Sequence, residues 1–221
     1  MTGTVGVGPI PSWDTGAVIL AAGAGSRLGH RPKCLLELDG IALIHRQIQA
    51  IKALGEIEIV VVLGHHCNLI APVLEDQPVS IVVQPEDQHS QSASVRLGVS
   101  ELSAKVNNLL ICPSDLPLLN AEDYRAVYDI FRTREPSMHF IGPEVAGIPG
   151  HPVIFDSQVI KQILSGDPTF GSGAWRTANP LNTQRWQTTN DHYIRDIDSE
   201  EDRRRFEAET KRKLQWPKAV S

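Results

Sequence analysis

The sequence predicts a doubly wound α/β fold, and two observations lead to it. Apolar, β-branched runs recur along the first half of the chain, and longer segments of helical period separate them. Strands that are apolar throughout, rather than alternating, are typical of a mostly parallel sheet with helices on both faces. The predicted strands are "AVILAA", "IEIVVVLG", "VSIVVQP" and "NNLLICPSD", and the predicted helical segments are 41–54, 66–75 and 90–102.

The second half of the chain is less regular. Its predicted elements are a helix at about 121–134, a short strand near 138–142, a helix near 156–165, a strand "RWQTT" and an amphipathic terminal helix with Ser199 as its N-cap. We expect a disordered leader at 1–16, one domain at 17–206 with halves at about 17–118 and 119–206, and a helix end and tail at 207–221.

Composition narrows the class of protein. The 221 residues carry a net charge of −5, which disfavours nucleic acid as a partner, and the basic runs "RRR" and "KRK" are interleaved with acidic residues as on a solvated helix face. No apolar run approaches the ~18 residues of a membrane span. The opening residues lack the pattern of a signal peptide, so we expect a cytoplasmic protein with no membrane partner.

The three cysteines, Cys34, Cys67 and Cys112, are odd in number and not closely spaced. This pattern suggests neither a disulfide framework nor a four-cysteine metal site, and it favours buried small side chains.

Ligands of doubly wound sheets bind beyond the carboxyl ends of the strands. We therefore expect a ligand to bind at the loops that directly follow the predicted strands, at 22–33, 64–68, 84–94 and 113–117.

The first of these loops is rich in glycine but matches neither familiar phosphate-binding pattern. Gly23, Gly25 and Gly29 are spaced too widely for a dinucleotide fingerprint, and the loop lacks the adjacent Lys and Ser/Thr of a Walker A motif. Such a loop can still offer backbone N–H groups to phosphate oxygens, with Arg27 and Lys33 adding charge. A tight strand turn carrying two surface cations is the alternative.

Two other segments carry carboxylates that could bind a metal ion. Asp115 comes directly after an apolar strand, and a carboxylate at that edge suits Mg²⁺, which takes one or two protein carboxylates and shares substrate phosphates. Asp196 or Asp198, in "RDIDSEED", would complete the site by facing Asp115. Each acid also has a structural alternative to metal binding. Asp115 could satisfy backbone donors at a helix N-terminus, and Asp198 could cap the terminal helix; the sequence favours neither reading over metal binding.

Together, "LAAGAGSRLG" with Lys33, "SDLP" with Asp115, and "DIDSEED" resemble the motif order of the MobA-like nucleotidyltransferases over about residues 17–206. The segment "GIPGHPVIF" at 147–155 resembles the acceptor motif of the molybdenum cofactor cytidylyltransferase branch. The resemblance implies a Rossmann-like nucleotidyltransferase fold, with a nucleotide half at 17–118 and an acceptor half at 119–206.

The resemblance also implies site roles. Arg27, Lys33 and Asp115 would be catalytic, Asp115 with Asp196 or Asp198 would bind Mg²⁺, and Mn²⁺ could replace it. The implied nucleotide-binding residues are Ala21, Ala22, Gly23, Ala24, Gly25 and Ser94, and the implied acceptor-binding residues are Gly150, His151, Pro152 and Arg176. The chain departs from the family pattern at Gln84, where asparagine is usual, and at Ser90, where glycine is usual.

The implied reaction is transfer of CMP from CTP to the terminal phosphate of molybdopterin, because Ala21-Ala22-Gly23 resembles the loop of cytosine users. Three other acceptor reactions stay open: guanylyl transfer to the pterin, or transfer to a sugar phosphate or to methylerythritol phosphate. A non-catalytic module that delivers the finished cofactor to an apo-molybdoenzyme or its chaperone is a further alternative.

Overall fold

The structure is a computed structural model that describes residues 14–85, 90–167, 169–218 and 220. Its strands are β1 (Thr15–Ala21), β2 (Glu37–Leu38), β3 (Ile41–Ala42), β4 (Glu58–Leu63), β5 (Ser80–Val83), β6 (Asn108–Pro113), β7 (Phe140–Val145), β8 (Ile148–Pro149), β9 (Val153–Asp156), β10 (Thr183–Gln187) and β11 (Leu214–Gln215). No helix within these described ranges is long and apolar enough to cross a membrane.

Seven α-helices are present in the described residues. They are α1 (Leu43–Lys52), α2 (Cys67–Ile70), α3 (Gln91–Glu101), α4 (Ala121–Arg132), α5 (Ser157–Ser165), α6 (Ser172–Ala178) and α7 (Glu200–Thr210). Short 3₁₀ segments lie at Ser26–Leu28, Lys33–Leu35, Ala71–Leu74, Pro180–Asn182 and Asp191–Ile194.

The main sheet has the strand order β10-β7-β9-β6-β1-β4-β5, with β8 paired to β7. β1 pairs in parallel with β4 and β6, and β5 pairs in parallel with β4. β9 is antiparallel to both of its neighbours. The predicted α/β fold with a mostly parallel sheet and helices on both faces is confirmed.

Alternate residues of the central strands enter two separate cores. In β1, Ala17 and Ile19 pack into a cluster with residues of α1 and α4, whereas Val18 packs into a cluster with residues of α3 and α5. Successive side chains of a strand point to opposite faces, so a strand buried on both faces must be apolar throughout. This explains the continuous apolar runs in the sequence.

A third, smaller core lies beside the sheet. Its buried members are Leu28, Leu36, Leu38, Leu43, Ile197, Phe206 and Leu214. β11, β2 and β3 form a three-stranded antiparallel sheet at this core. The sequence does not predict this sheet, because strands of two residues carry no periodic signal.

Two predicted boundaries differ in the first half of the chain. The helical segment predicted at 66–75 is one α-turn, Cys67–Ile70, followed by a 3₁₀ turn, because Pro72 lacks the N–H that a continuous α-helix needs. β1 begins at Thr15, inside the leader predicted at 1–16, and residues 1–13 of that leader lie outside the described residues.

Three differences occur in the second half. The strand predicted near 138–142 runs from Phe140 to Val145, and the predicted strand "RWQTT" is Thr183–Gln187. The predicted helix near 156–165 and the N-cap Ser199 are confirmed, since Ser199 Oγ accepts a hydrogen bond from Asp202 N. Residues 214–215, expected in a tail, form β11.

Gly98 is the point where α3 lies closest to the sheet. A Cβ added there would meet Val18 Cγ1 at 2.5 Å and Val62 Cγ2 at 2.9 Å. Both side chains are β-branched, have restricted χ1 angles and lie in a closely packed core, so the helix itself would have to shift.

We expect Gly98→Ala to lower the free energy of unfolding by about 1 kcal/mol or more, because overpacking outweighs the better helix propensity of alanine. Urea denaturation measures this change. Gly173→Ala is the matched control, because a Cβ there meets nothing within 4 Å. A Gly98→Ala protein as stable as the Gly173→Ala control would contradict this account of the packing.

Candidate active site

The four loops selected from the sequence meet at the carboxyl edge of β1, β4, β5 and β6. They line a cleft of about 350 Å³, a size suited to a small-molecule ligand. The lining residues are Leu20, Ala21, Ala22, Gly23, Ala24, Pro32, Lys33, Cys34, His65, Gln84, Gln91, Ser94, Pro113, Ser114 and Asp115.

The glycine loop turns at Gly25. This residue has a φ of 60°, and its carbonyl accepts hydrogen bonds from Leu28 N at 2.8 Å and from His30 N at 3.0 Å. A Cβ at Gly25 would lie 2.0 Å from Arg31 O, so glycine is required both by the left-handed conformation and by the close approach. The turn therefore brings Arg31, which lies between Arg27 and Lys33 in the chain, back against Gly25.

The loop after β4 packs directly against the glycine loop. His66 Nε2 lies 3.0 Å from Ala24 O, and a Cβ on Gly64 would lie 2.7 Å from Ala22 O. These contacts hold the backbone of residues 22–24 at the floor of the cleft.

Lys33 connects the two acidic segments. Its Nζ lies 3.3 Å from Asp115 Oδ2 and also donates to Asp198 Oδ1, while Arg27 Nη2 lies 2.5 Å from Asp198 Oδ2. The side chains of Lys33, Asp115 and Asp198 are mostly buried, whereas Arg27 is 67% exposed. Arg27 is therefore the cation best placed to reach a ligand from solvent.

These contacts set the charge of each group. Burial alone would lower the pKa of Lys33, but Asp115 and Asp198 outweigh it and raise that pKa, so Lys33 stays an ammonium. Burial raises the pKa of Asp115, and the negative charges of Asp196 and Asp198 act in the same direction against Lys33. Burial would also raise the pKa of Asp198, but Lys33 and Arg27 lower it overall.

The carboxylate of Asp115 fits a divalent cation. Its Oδ1 is buried and has no hydrogen-bond partner among the described residues. Metal coordination can use such an oxygen, whereas leaving it unpaired is costly. Within the described part of the chain, no three His, Cys, Asp or Glu side chains form a metal cluster, so protein would supply only one or two carboxylates.

The two acids of "RDIDSEED" have different surroundings. Asp198 shares Lys33 with Asp115, whereas Asp196 is exposed and lines a separate, smaller cavity beside α7. The backbone N–H of Ile197 donates to Asp115 O at 3.0 Å and fixes this segment against the end of β6. Asp198 does not cap α7, because Ser199 does.

Ser94 and Gln84 form the polar wall at one side of the cleft. Ser94 Oγ donates to Gln84 Oε1 at 2.8 Å, and Gln84 Nε2 donates to Ser90 O at 3.2 Å. Ser90 has a φ of −89° and caps α3, so serine fits here without strain. Residues 86–89 of this loop lie outside the described residues.

The predicted acceptor residues reach the same edge of the sheet because β9 runs antiparallel to β6. Val153 pairs with Ile111, so the preceding residues, Gly150, His151 and Pro152, lie beyond the end of β6 that leads to Asp115. Gly150 approaches Tyr193 so closely that a Cβ would lie 2.6 Å from Tyr193 O, and His151 N donates to the same oxygen at 2.9 Å.

Arg176 lies on α6 and lines a shallow groove together with Gly150. Burial and, to a smaller extent, the positive charge of Arg176 lower the pKa of His151 to about 4, and a hydrogen bond to the Ile111 carbonyl opposes them. Within the described structure, His151 Nδ1 is buried without a hydrogen-bond partner. The predicted acceptor residues thus lie near one another, with a neutral histidine beside an arginine.

Several cleft residues were not assigned a role from the sequence: Pro32, Cys34, His65, Gln91 and Ser114. All five lie in or next to the four strand-end loops, so the strand-end rule was the available signal.

Cys34 and Cys112 are buried as expected, but Cys67 is half-buried, because it begins the exposed turn α2.

The lowered pKa of His151 predicts a pH-dependent stability. Between pH 6.5 and pH 4 the unfolded chain binds a proton that the folded chain excludes, so stability is lost as the pH falls, by up to about 3 kcal/mol. We expect His151→Asn to lose less stability over this range and to follow wild type from pH 7 to pH 8. Urea denaturation at a series of pH values tests this, and parallel curves at every pH would contradict it.

Comparisons with known proteins agree with this geometry. Residues 17–181 match the family model of the MobA-like NTP transferase domain. The bifunctional protein GlmU of Streptococcus equi subsp. zooepidemicus is 30% identical over 123 residues, which are 55% of this chain and 26% of GlmU, so the chain spans about a quarter of the length of the curated relatives it matches.

Two solved structures show the same fold. Rv0371c of Mycobacterium tuberculosis H37Rv has a TM-score of 0.72 and 20% identity over 89% of this chain and 98% of its own, and it has also been solved as a complex with manganese. The 4-diphosphocytidyl-2C-methyl-D-erythritol synthase of Anaerococcus prevotii has a TM-score of 0.68 and 15% identity over 90% of this chain and 96% of its own. The family match over residues 17–181, with a strand-end cleft of the expected form, shows that the chain belongs to the MobA-like NTP transferase domain family.

Proposed function

We propose that this nucleotidyltransferase-family protein transfers CMP from CTP to the terminal phosphate of molybdopterin and releases pyrophosphate. The observation that carries the proposal is the position of Asp115. Its buried, unpartnered oxygen lies beside Lys33 at the edge shared by the glycine-loop cleft and the acceptor residues.

In this reaction an oxygen of the acceptor phosphate attacks the α-phosphorus of CTP. The new P–O bond forms as the bond to the β-phosphate breaks, and the negative charge leaves with pyrophosphate. Charged groups that are already in place stabilise such a transition state, so no protein nucleophile is needed. Arg27 and Lys33 would neutralise the leaving charge, and the raised pKa of Lys33 keeps it cationic.

Asp115 and Asp198 are the residues proposed to hold Mg²⁺, with Mn²⁺ as a substitute. The metal would add charge neutralisation at the phosphates. The manganese complex of Rv0371c concerns a protein that shares this fold, and it is compatible with a divalent-metal requirement.

The choice of CTP is supported by the loop. Its Ala21-Ala22-Gly23 sequence resembles that of cytosine users, and all three residues line the cleft. Ala24 and Gly25 would bind phosphate through the backbone. We propose that Ser94 acts indirectly, by holding the amide of Gln84 in the cleft wall.

For the acceptor, we propose that Arg176 meets an anionic group and that neutral His151, with Gly150 and Pro152, borders the pterin. We also propose that residues 17–118 form the nucleotide half of the domain and that residues 119–206 form the acceptor half. The protein would work in the cytoplasm. An apo-molybdoenzyme or its chaperone would receive the product.

A second candidate keeps the cytidylyl transfer and changes the acceptor to a polyol or sugar phosphate. The name of the Anaerococcus prevotii enzyme describes a cytidylylated methylerythritol product, and that enzyme shares this fold. A product assay with molybdopterin and with methylerythritol phosphate separates the two candidates.

Nucleotide choice can be tested first by thermal unfolding with CTP, GTP, UTP and ATP, each with and without Mg²⁺. At ~100 times its dissociation constant a ligand adds ~2.7 kcal/mol, which is a shift of roughly 5–10 °C for a chain of this size. We expect a Mg²⁺-dependent shift with CTP alone, and a much smaller one in Lys33→Ala. A shift led by GTP would overturn the choice of CTP, and no shift with any of the four would overturn the proposed reaction.

We expect Asp115→Asn to lower turnover by ~100-fold or more, because it removes a negative charge from the proposed metal site without changing the shape of the side chain. The melting temperature should not fall, since the change also removes a buried charge whose pKa is raised. Pyrophosphate release measures turnover, and Asp76→Asn, the same change at an exposed turn, is the control. Near-normal turnover in folded Asp115→Asn would refute this role.

A further inference from the structure

The loop between Arg27 and Lys33 is supported from behind by a part of the chain outside the matched family region. That region ends at residue 181, whereas the support comes from α7 and from residues 214–216. The contact centres on Arg31, whose Cζ lies 4.3 Å from the ring centroid of Trp216.

Arg31 fixes the glycine turn through its backbone and the 3₁₀ segment through its side chain. Its carbonyl oxygen occupies the space that a Cβ on Gly25 would need, and its Nε donates to Leu28 O at 3.1 Å. Its Nη2 lies 3.3 Å from Glu200 at the start of α7. The guanidinium therefore points towards α7 and Trp216, and it is not among the residues that line the cleft.

Residues 214–216 are themselves firmly held. Leu214 and Gln215 pair with Leu38 and Glu37 of β2. On α7, Arg203 donates to Leu214 O at 3.1 Å and Glu207 accepts from Leu214 N at 3.0 Å.

The third core connects this support to both charged groups of the site. Leu28, next to Arg27, and Ile197, next to Asp198, are buried in the same cluster as Leu214, and Trp216 packs against that cluster. A shift of the cluster would therefore move both partners of the Arg27–Asp198 ion pair.

We propose that Trp216, through Arg31, is a positioning residue that holds the Arg27–Lys33 loop in the geometry that binds a nucleoside triphosphate. The role rests on the proposed function, because it concerns affinity for the triphosphate. An arginine stacked on an aromatic face is held in a single orientation, whereas a lysine in its place would keep the charge and lose the planar contact.

The test uses Trp216→Ala, with Trp216→Phe as the conservative variant that keeps an aromatic face. Arg31→Lys removes the contact from the other side and keeps the fold testable if Trp216→Ala fails to fold. Arg212→Ala is the matched control, since Arg212 lies in the same segment but pairs with Asp39.

The first readout is hydrogen–deuterium exchange of the free protein. Leu28 N and His30 N, which donate to Gly25 O, should exchange about tenfold faster in Trp216→Ala and Arg31→Lys, while the amides of β4 stay protected. Trp216→Phe and Arg212→Ala should match wild type. Unchanged exchange of the loop in both test variants would overturn the inference, whatever the protein binds.

The second readout is affinity for Mg²⁺-CTP, by calorimetry and by KM. We expect Kd and KM to rise about fivefold or more in both test variants, with kcat changed less, and the double variant to be no worse than either single one. Wild-type affinity in a variant with fast loop exchange would also overturn the inference. If wild type binds none of the four triphosphates, the proposed function fails, and the exchange readout still decides whether Trp216 holds the loop.

Discussion

The ammonium of Lys33, shared by Asp115 and Asp198, is the interaction on which the arrangement of the site depends. It joins the glycine loop to one residue 82 positions later and to another 165 positions later. Removing two carboxylates from water is unfavourable unless a cation compensates them, so Lys33 allows both acids to lie at one edge of the sheet. Arg27 compensates the second oxygen of Asp198 in the same way.

The compensation is unequal between the two carboxylates. Asp198 has two cationic partners and a lowered pKa, whereas Asp115 keeps a raised pKa and, among the described residues, an unpartnered oxygen. A buried carboxylate oxygen without a partner destabilises the free protein, and a bound cation would remove that cost. The family assignment rests on the chain from Ala17 to Leu181, but this charge balance also needs Asp198, which lies beyond that match.

The sequence was sufficient for the parallel strands β1, β4, β5 and β6 and for most of the cleft, because continuous apolar runs identify buried parallel strands and the strand-end rule then selects their loops. It does not reveal that Asp198, rather than Asp196, shares Lys33 with Asp115, since that depends on how Ile197 is anchored to Asp115. From the residues alone, His151 could not be placed near the cleft either. Its position follows from β9 running antiparallel to β6, and a run as short as "VIF" carries no signal for strand direction.

The small third core shows why the tertiary contacts of the glycine loop could not be predicted from the sequence. Leu28 and Leu214 are both fully buried in it, yet they are separated by most of the chain, and each stands as a single apolar residue among polar neighbours. Burial of such residues is a tertiary property, which neither helical nor strand periodicity reports. The glycine loop therefore has a sequence that permits its turn, but its contacts with Glu200 of α7 and with the cluster that contains Leu214 of β11 arise only in the folded chain.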